Sequence, residues 1–396
     1  MSKIKLFTFV DGLVAVEINF FRGRPSPMHI RLDKTSFLKA LSHQQSVVER
    51  KTTVPILTHV FMEATFDGQV KLVGTDLELT VVERIPSVVQ REGSTTISAH
   101  LLHDIVRKLK DGAPIDLELS PDQNTVVLRC PPSQFTVQTL PVSDFPLVSQ
   151  HTPIHTFALT GGELRRLIDQ TRFAMSMEEA RYYLNGIYLH TLGGDLRAVA
   201  TDAHRLALSW LPLPPHTEGF PGAILSRKTI LEIRKLLDHD DLIVDISLSA
   251  SQMAFRMGDV TLYSRLVKGT FPDYQRAIPQ GNNHVIQVET ALFSEAVDRV
   301  SMIMPDKARA IKMRAHEGCI TFSAQNSENG FACEDIPAQY QGTPIEMGFN
   351  ARYVLDVVQQ IKGDTFQIHV NDGTIPAIVK DLKDENALYV LMPMRV

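Results

Sequence analysis

A unit of about 125 residues occurs three times in this sequence. Its clearest part is a helix opening, an acidic turn and an alternating strand. The first copy begins Ser98-Ala99-His100-Leu101-Leu102-His103-Asp104-Ile105 and reaches Ile115-Asp116-Leu117-Glu118-Leu119. The second begins Ser226-Arg227-Lys228-Thr229-Ile230-Leu231 and reaches Ile243-Val244-Asp245-Ile246. The third begins Asn350-Ala351-Arg352-Tyr353-Val354-Leu355 and reaches Phe366-Gln367-Ile368-His369-Val370. This spacing is too long for a solenoid and suits a domain. A second amphipathic segment precedes each copy, at 36–41, 163–168 and 292–297. In the middle one Leu164, Leu167, Ile168, Thr171 and Met175 fall at helical spacing. Alternating stretches such as 69–73 and 196–200 predict strands with one buried face. Each unit is therefore expected to hold two helices on antiparallel sheet, an α+β arrangement. The expected domains are 28–152, 153–282 and 283–396, with linkers near 148–153 and 279–283. Residues 1–27 lie outside the repeat. Their apolar stretch is broken by Asp11 and Glu17, unlike a signal peptide. They read as an extra strand or a disordered tail, or the working protein begins at Met28.

Bulk properties remove several classes. No apolar run reaches the roughly 18 residues that span a bilayer, so no membrane partner is expected. A formal charge of -5 excludes an overall basic coat but leaves room for a local basic face. Cys130, Cys319 and Cys333 are odd in number and scattered, with no C-x-x-C pair. That argues against a disulfide framework or zinc site, and fits a reducing, cytoplasmic setting. No metal and no cofactor are expected.

The densest polar and aromatic stretch is Arg181-Tyr182-Tyr183-Leu184-Asn185-Gly186, followed by Ala200-Thr201-Asp202-Ala203-His204-Arg205-Leu206. Asp202 and His204 invite an acid–base or metal reading. However, Gly74-Thr75-Asp76-Leu77-Glu78-Leu79 occupies the same place one unit earlier. A shared Thr-Asp points to a structural turn, with Asp bonding backbone N–H groups. No Gly-rich phosphate loop or G-x-S-x-G occurs. Helical segments carry cations, among them Lys39, Arg107, Lys108, Arg165, Arg166, Arg227, Lys228, Arg234 and Lys235, while carboxylates gather in turns such as Asp238, Asp240 and Asp241. Either these are solvated helix faces or they line a polyanion, whose phosphates they would meet without reading sequence. The chain stays apolar through Leu388-Tyr389-Val390-Leu391-Met392-Pro393-Met394-Arg395-Val396. Such an end predicts a docked strand or an adaptable apolar wall.

Together with Phe271-Pro272-Asp273-Tyr274, these motifs make residues 28–396 resemble the bacterial sliding clamps, the beta subunits of DNA polymerase III. The resemblance implies three clamp-fold domains and a head-to-tail homodimer closing a six-domain ring around duplex DNA. It implies a non-enzymatic processivity factor whose partners are the clamp loader, replicative and repair polymerases, and other proteins carrying short clamp-binding peptides. It places a peptide pocket on Arg181, Leu184, Thr201, His204, Arg205, Leu206, Pro272, Asn350, Tyr353, Val390, Leu391, Met392, Pro393, Met394 and Arg395. It makes Lys51, Tyr182, Tyr183, Arg205, Arg227 and Lys228 candidates to face DNA. Phe135 on one side, with Met302 and Ile303 on the other, are candidates for the apolar core of the subunit interface. Ala203 stands where the family often has Gly. Two competing readings are a scaffold that binds peptides without enclosing DNA, and a hydrolase built on Asp202 and His204.

Overall fold

The computed structural model describes residues 27–146, 152–305 and 309–395. The expectations about residues 1–26, part of the first linker, and Val396 fall outside these. Among the described residues six α-helices form in three pairs: α1 (Lys34–Val47) with α2 (Ala99–Lys108), α3 (Gly161–Asp169) with α4 (Arg227–Leu236), and α5 (Thr290–Ser301) with α6 (Ala351–Val358). Side-chain caps start several of them at repeated positions. Asp33 accepts from Ser36 N, Thr160 and Glu163 form a reciprocal capping box, and Ser226 accepts from Thr229 N. Asn350, a pocket candidate, caps α6 by accepting from Arg352 N and Tyr353 N. One expectation needs correction. The apolar stripe of the middle unit does not stay helical, because α3 stops at Asp169. Thr171 and Met175 are buried all the same, beyond the helix. Thr171 Oγ1 donates to Leu167 O at 2.6 Å, a back-bond that competes with helix continuation.

The strands form half-sheets that recur in every unit. In the first, His29–Leu32, Ile115–Leu119, Thr125–Cys130 and Ser133–Gln138 make one half, extended by Val88–Arg91. Leu79–Pro86, Gln69–Thr75, His59–Thr65 and Gly93–Ser98 make the other. The second unit repeats this with His155–Thr160 through Val260–Arg265, and with Arg205–Pro212 back to Ala223–Ser226. The third does so with His284–Glu289 through Ala387–Leu391, and with Gly330–Pro337 back to Ile345–Asn350. All pairings are antiparallel, and side chains alternate between a buried and a more open face.

Half-sheets of neighbouring units fuse edge to edge. Val260–Arg265 pairs with Leu79–Pro86, setting Leu262 against Val81. Arg205–Pro212 pairs with Ala387–Leu391, setting Leu206 against Val390. Two continuous eight-stranded sheets result, and the helices pack on them. The third equivalent pair of edges, Ser133–Gln138 and Gly330–Pro337, stands at the free ends of a five-stranded and a four-stranded sheet. One apolar cluster spans the second and third units and takes in Val47, Leu79 and Val81 of the first. A separate cluster fills the first unit around Phe37, Leu72 and Leu117.

The Thr-Asp turn is structural, as its repetition suggests. Asp76 Oδ1 accepts from Glu78 N and Leu79 N at 2.9 and 2.6 Å. Asp202 Oδ1 accepts from His204 N and Arg205 N, both at 3.0 Å. Asn326 does the same in the third unit, accepting from Glu328 N and Asn329 N. Each turn feeds an eight-residue strand that ends in proline: Pro86, Pro212 and Pro337.

Candidate functional site

The last described strand, Ala387–Leu391, inserts between Arg205–Pro212 and Ala377–Asp381. It therefore builds the junction of the second and third units. The tail beyond it is held by its backbone. Met392 N donates to His204 O, and Met394 N to Gly348 O, each at 2.9 Å. Both methionine side chains remain exposed. The apolar C-terminus is thus both a docked strand and an apolar wall.

On one face of this junction the residues meet in rows. Gly186, Thr201, Leu206 and Val390 sit side by side through the observed registers or the short loop between them, and Tyr188, Val199, Leu208 and Leu388 form the next row. An antiparallel sheet usually turns polar side chains to water on its outer face. Here Leu184, Val199, Leu206, Leu208, Ile224, Phe271, Tyr274 and Val390 form an apolar cluster instead. Thr201, exposed Pro272, exposed His204 and Met392 lie at its rim. Gly186 is required where the first motif ends, because an added Cβ would lie 2.0 Å from Leu225 O. Beside this platform, on the same face, His190 is buried, stacks on Tyr188 at 4.6 Å and shares a hydrogen bond with the Tyr274 hydroxyl at 3.0 Å. Burial holds its imidazole below the ordinary value.

A cleft of about 470 Å³ opens beside this platform, lined by Phe173, Met175, Met177, His204, Arg205 and Tyr353 among others. Arg205 is 9% exposed and fully engaged. Its Nε donates to Asp202 Oδ2 at 3.0 Å, Nη1 to Asp356 Oδ2 at 2.5 Å and Nη2 to Phe173 O at 2.6 Å. The guanidinium also lies over the Tyr353 ring at 4.3 Å and the Phe173 ring at 5.2 Å. His204 stacks on Tyr353 at 6.2 Å. Arg181 stays at the periphery, paired with Glu178 at 2.6 Å.

Two candidates for facing DNA have partners within the chain. Arg205 is buried between two carboxylates. Lys228 is tied down by Val47 O at 2.9 Å and by the Asp76 carboxylate. Arg227 turns onto Met175 O and Ser176 O and lines the cleft. Tyr182 is exposed and meets Tyr183 edge to face, whereas Tyr183 packs against the apolar platform. Lys51 is exposed. The cationic helix faces are also less free than the sequence suggests. Turn carboxylates fold back onto them in the Lys39–Asp238 and Arg165–Asp240 pairs, and helical carboxylates hold two more in the Arg234–Asp169 and Lys235–Glu232 pairs. Phe135 lies on the free edge strand Ser133–Gln138. Met302 is exposed just after α5, and Ile303 O accepts from Asn329 at the start of the other free edge.

Sequence reasoning missed Phe173 and Asp356 as partners of Arg205. Phe173 contributes a carbonyl, which leaves no sequence signal. Asp356 lies one turn beyond Tyr353 on α6, a signal that could have been used.

Family models for the N-terminal, central and C-terminal domains of the DNA polymerase III beta subunit match residues 28–149, 158–273 and 275–395. The chain belongs to the DNA polymerase III beta subunit family. The beta sliding clamp of Caulobacter vibrioides is 43% identical over 373 residues, 93% of this chain and all of that one. The beta sliding clamp of Escherichia coli K12 is 33% identical over 374 residues, with the same coverage. The crystal structure of the Caulobacter crescentus clamp superposes with a TM-score of 0.91 at 42% identity, covering 94% of this chain and all of that one. The griselimycin-bound clamp of Bartonella birtlesii gives 0.90 at 42% identity, covering 93% of this chain and all of that one. The family consists of sliding clamps, which are processivity factors rather than enzymes. The Asp202–His204 turn accords with that role, since the carboxylate is spent on backbone N–H groups.

Proposed function

We propose that two copies of this chain close head to tail into a ring around duplex DNA. The observation that carries this is the pair of free edges. Two of the three equivalent half-sheet junctions are made inside the chain, and the third leaves the outer edges of Ser133–Gln138 and Gly330–Pro337, on opposite units, without a strand partner among the described residues. Exposed edge strands invite pairing. Joining one edge to the other is a heterologous contact, which closes when the rotation per unit completes a circle. Phe135, Phe331, Met302 and Ile303 would supply its apolar part.

The expected domains, 28–152, 153–282 and 283–396, then act as repeated segments of the ring. Contact with DNA would be sequence-independent and weak. Most helix cations already carry a carboxylate partner, so few full charges remain for phosphates. Lys51, Lys108 and Arg352, with Tyr182, are the residues best placed to add to that contact. Weak, salt-screened contact lets a ring slide, whereas bidentate base readout would stall it.

The platform around Leu184, Leu206 and Val390 would receive short peptides from the clamp loader, from polymerases and from other partners. An apolar anchor would enter between Thr201, Pro272, His204 and Met392, giving a small interface dominated by a few hot spots. The Met392-Pro393-Met394 wall suits varied anchors because methionine adapts its shape.

Two measurements test this. Light scattering across a dilution series should return the mass of a dimer. Chain loaded on nicked circular DNA should stay bound, and should run off when the circle is cut. Retention on linear DNA, or a strict monomer, would overturn the ring. Removing residues 392–396 should abolish peptide binding and leave the dimer mass unchanged.

A further inference from the structure

We propose that His316, Cys319 and Asp335 form a binding site for a zinc ion on the outer face of the third unit's four-stranded sheet. His316 and Cys319 flank one hairpin turn, three residues apart, and Asp335 is brought to them by a third strand. Strands Ala310–His316 and Cys319–Asn326 are joined by a hairpin whose turn, Glu317-Gly318, uses a positive φ of 72° at Gly318. That turn sets His316 directly opposite Cys319. Strand Gly330–Pro337 lies on the other side and sets Asp335 opposite Thr321, two residues along from Cys319 and so on the same face. One donor atom from each of the three lies within 4.8 Å of the others.

The donor set suits zinc. An imidazole nitrogen, a thiolate sulfur and a carboxylate oxygen are all ordinary zinc ligands, and three protein ligands with one open position is a familiar zinc arrangement. Bonds of about 2.0–2.3 Å require the donors to close in slightly, a movement available to side chains at a partly exposed surface. The surroundings are already ordered for it. Thr321 Oγ1 donates to Asp335 Oδ1 at 2.6 Å and shares a hydrogen bond with His316 Nε2 at 3.1 Å. Thr321 thus fixes one carboxylate oxygen, as a supporting residue behind a ligand does. A cysteine thiol ordinarily carries its proton at neutral pH. Zinc would replace that proton, forming a Zn–S bond and releasing H⁺ to buffer. The bound ion would tie the free edge strand Gly330–Pro337 to the hairpin behind it.

The test uses tag-free, full-length chain stripped with a chelator. Calorimetric titration with zinc chloride should show one ion per chain. The heat should vary with buffer ionisation enthalpy as expected for release of the thiol proton. Cobalt(II) in place of zinc should give a thiolate-to-metal absorption band. Cys319→Ser should abolish that band, and both it and His316→Gln should weaken zinc binding by at least about tenfold. Cys333→Ser should change neither. If zinc binds Cys319→Ser and His316→Gln as well as the natural chain, or does not bind the natural chain, the proposal fails. Should Cys319→Ser misfold, the cobalt band of Cys333→Ser protein decides alone.

Discussion

The junction between the first and second units and the junction between the second and third are copies of one design, yet one is filled and the other open. Both join an edge strand that follows a Thr-Asp turn to the last strand of the next unit. The first strand residue is Leu79 in one copy and Arg205 in the other. Leu79 is buried within the main apolar cluster beside Val47, Val81 and Leu262. Helix α1 runs unbroken through Val47 and covers it. Arg205 is buried too, but by two carboxylates, a carbonyl and two aromatic rings. Its neighbouring helix, α3, stops at Asp169 and leaves a cleft. An apolar plug stabilises a fixed joint. A buried ion cluster adds little net stability but holds walls at set positions around an opening. The same repeat therefore makes a plain joint once and a candidate binding site once.

The largest expected effect comes from making the open junction resemble the filled one. Arg205→Leu strands Asp202 and Asp356 in a low-dielectric site and should cost about 3–5 kcal/mol in urea unfolding of the second and third units. Adding Asp356→Leu should recover much of that loss. Next, Leu206→Ala empties part of the row against Val390 and should cost about 2–4 kcal/mol, with a clear loss of peptide affinity. The equivalent change on the first junction, Thr80→Ala, should leave peptide binding untouched. Lys228→Met removes the ion pair to Asp76 that bridges the filled junction. That pair is partly solvent-exposed, so the loss should be about 0.5–1 kcal/mol.

Smaller still is the turn itself. Leu77 and Ala203 hold equivalent left-handed positions, with φ of 77° and 73°. Replacing Ala203 with Gly should stabilise by roughly 0.5–1 kcal/mol and shift the urea midpoint upward, because the strain exceeds the entropy that glycine loses. The last effect is of pH. Burial lowers the folded-state value of His190, so the folded chain binds that proton less readily than the unfolded chain. The contribution is fully present above the ordinary value of about 6.5 and is lost as pH falls toward the depressed folded value. The urea midpoint of the open junction should drop between neutral and mildly acidic pH, less so in His190→Gln.

Local patterns were readable because their causes are local. Helical spacing, which marked the helix openings at Ser98, Ser226 and Asn350, depends on neighbours a few residues away. The repeated Thr-Asp declared a turn for the same reason. The end of α3 was missed because helical spacing continues past it in Thr171 and Met175, and both are buried without being helical. The free cations of the helices were overcounted, since Lys39 and Asp238 are 199 residues apart and only folding pairs them.

The chain's sequence alone determined three copies of one helix-and-sheet unit, its family resemblance and the motifs of its candidate pocket. Only the tertiary structure decided which edges fuse, that Arg205 binds inward to Asp356 151 residues away, and that His316, Cys319 and Asp335 meet across three strands. The reason is physical. Period and propensity act over a few residues and select an element. Strand partners, ion pairs and ligand clusters depend on which distant elements become neighbours, and that is fixed by the packing of the whole chain.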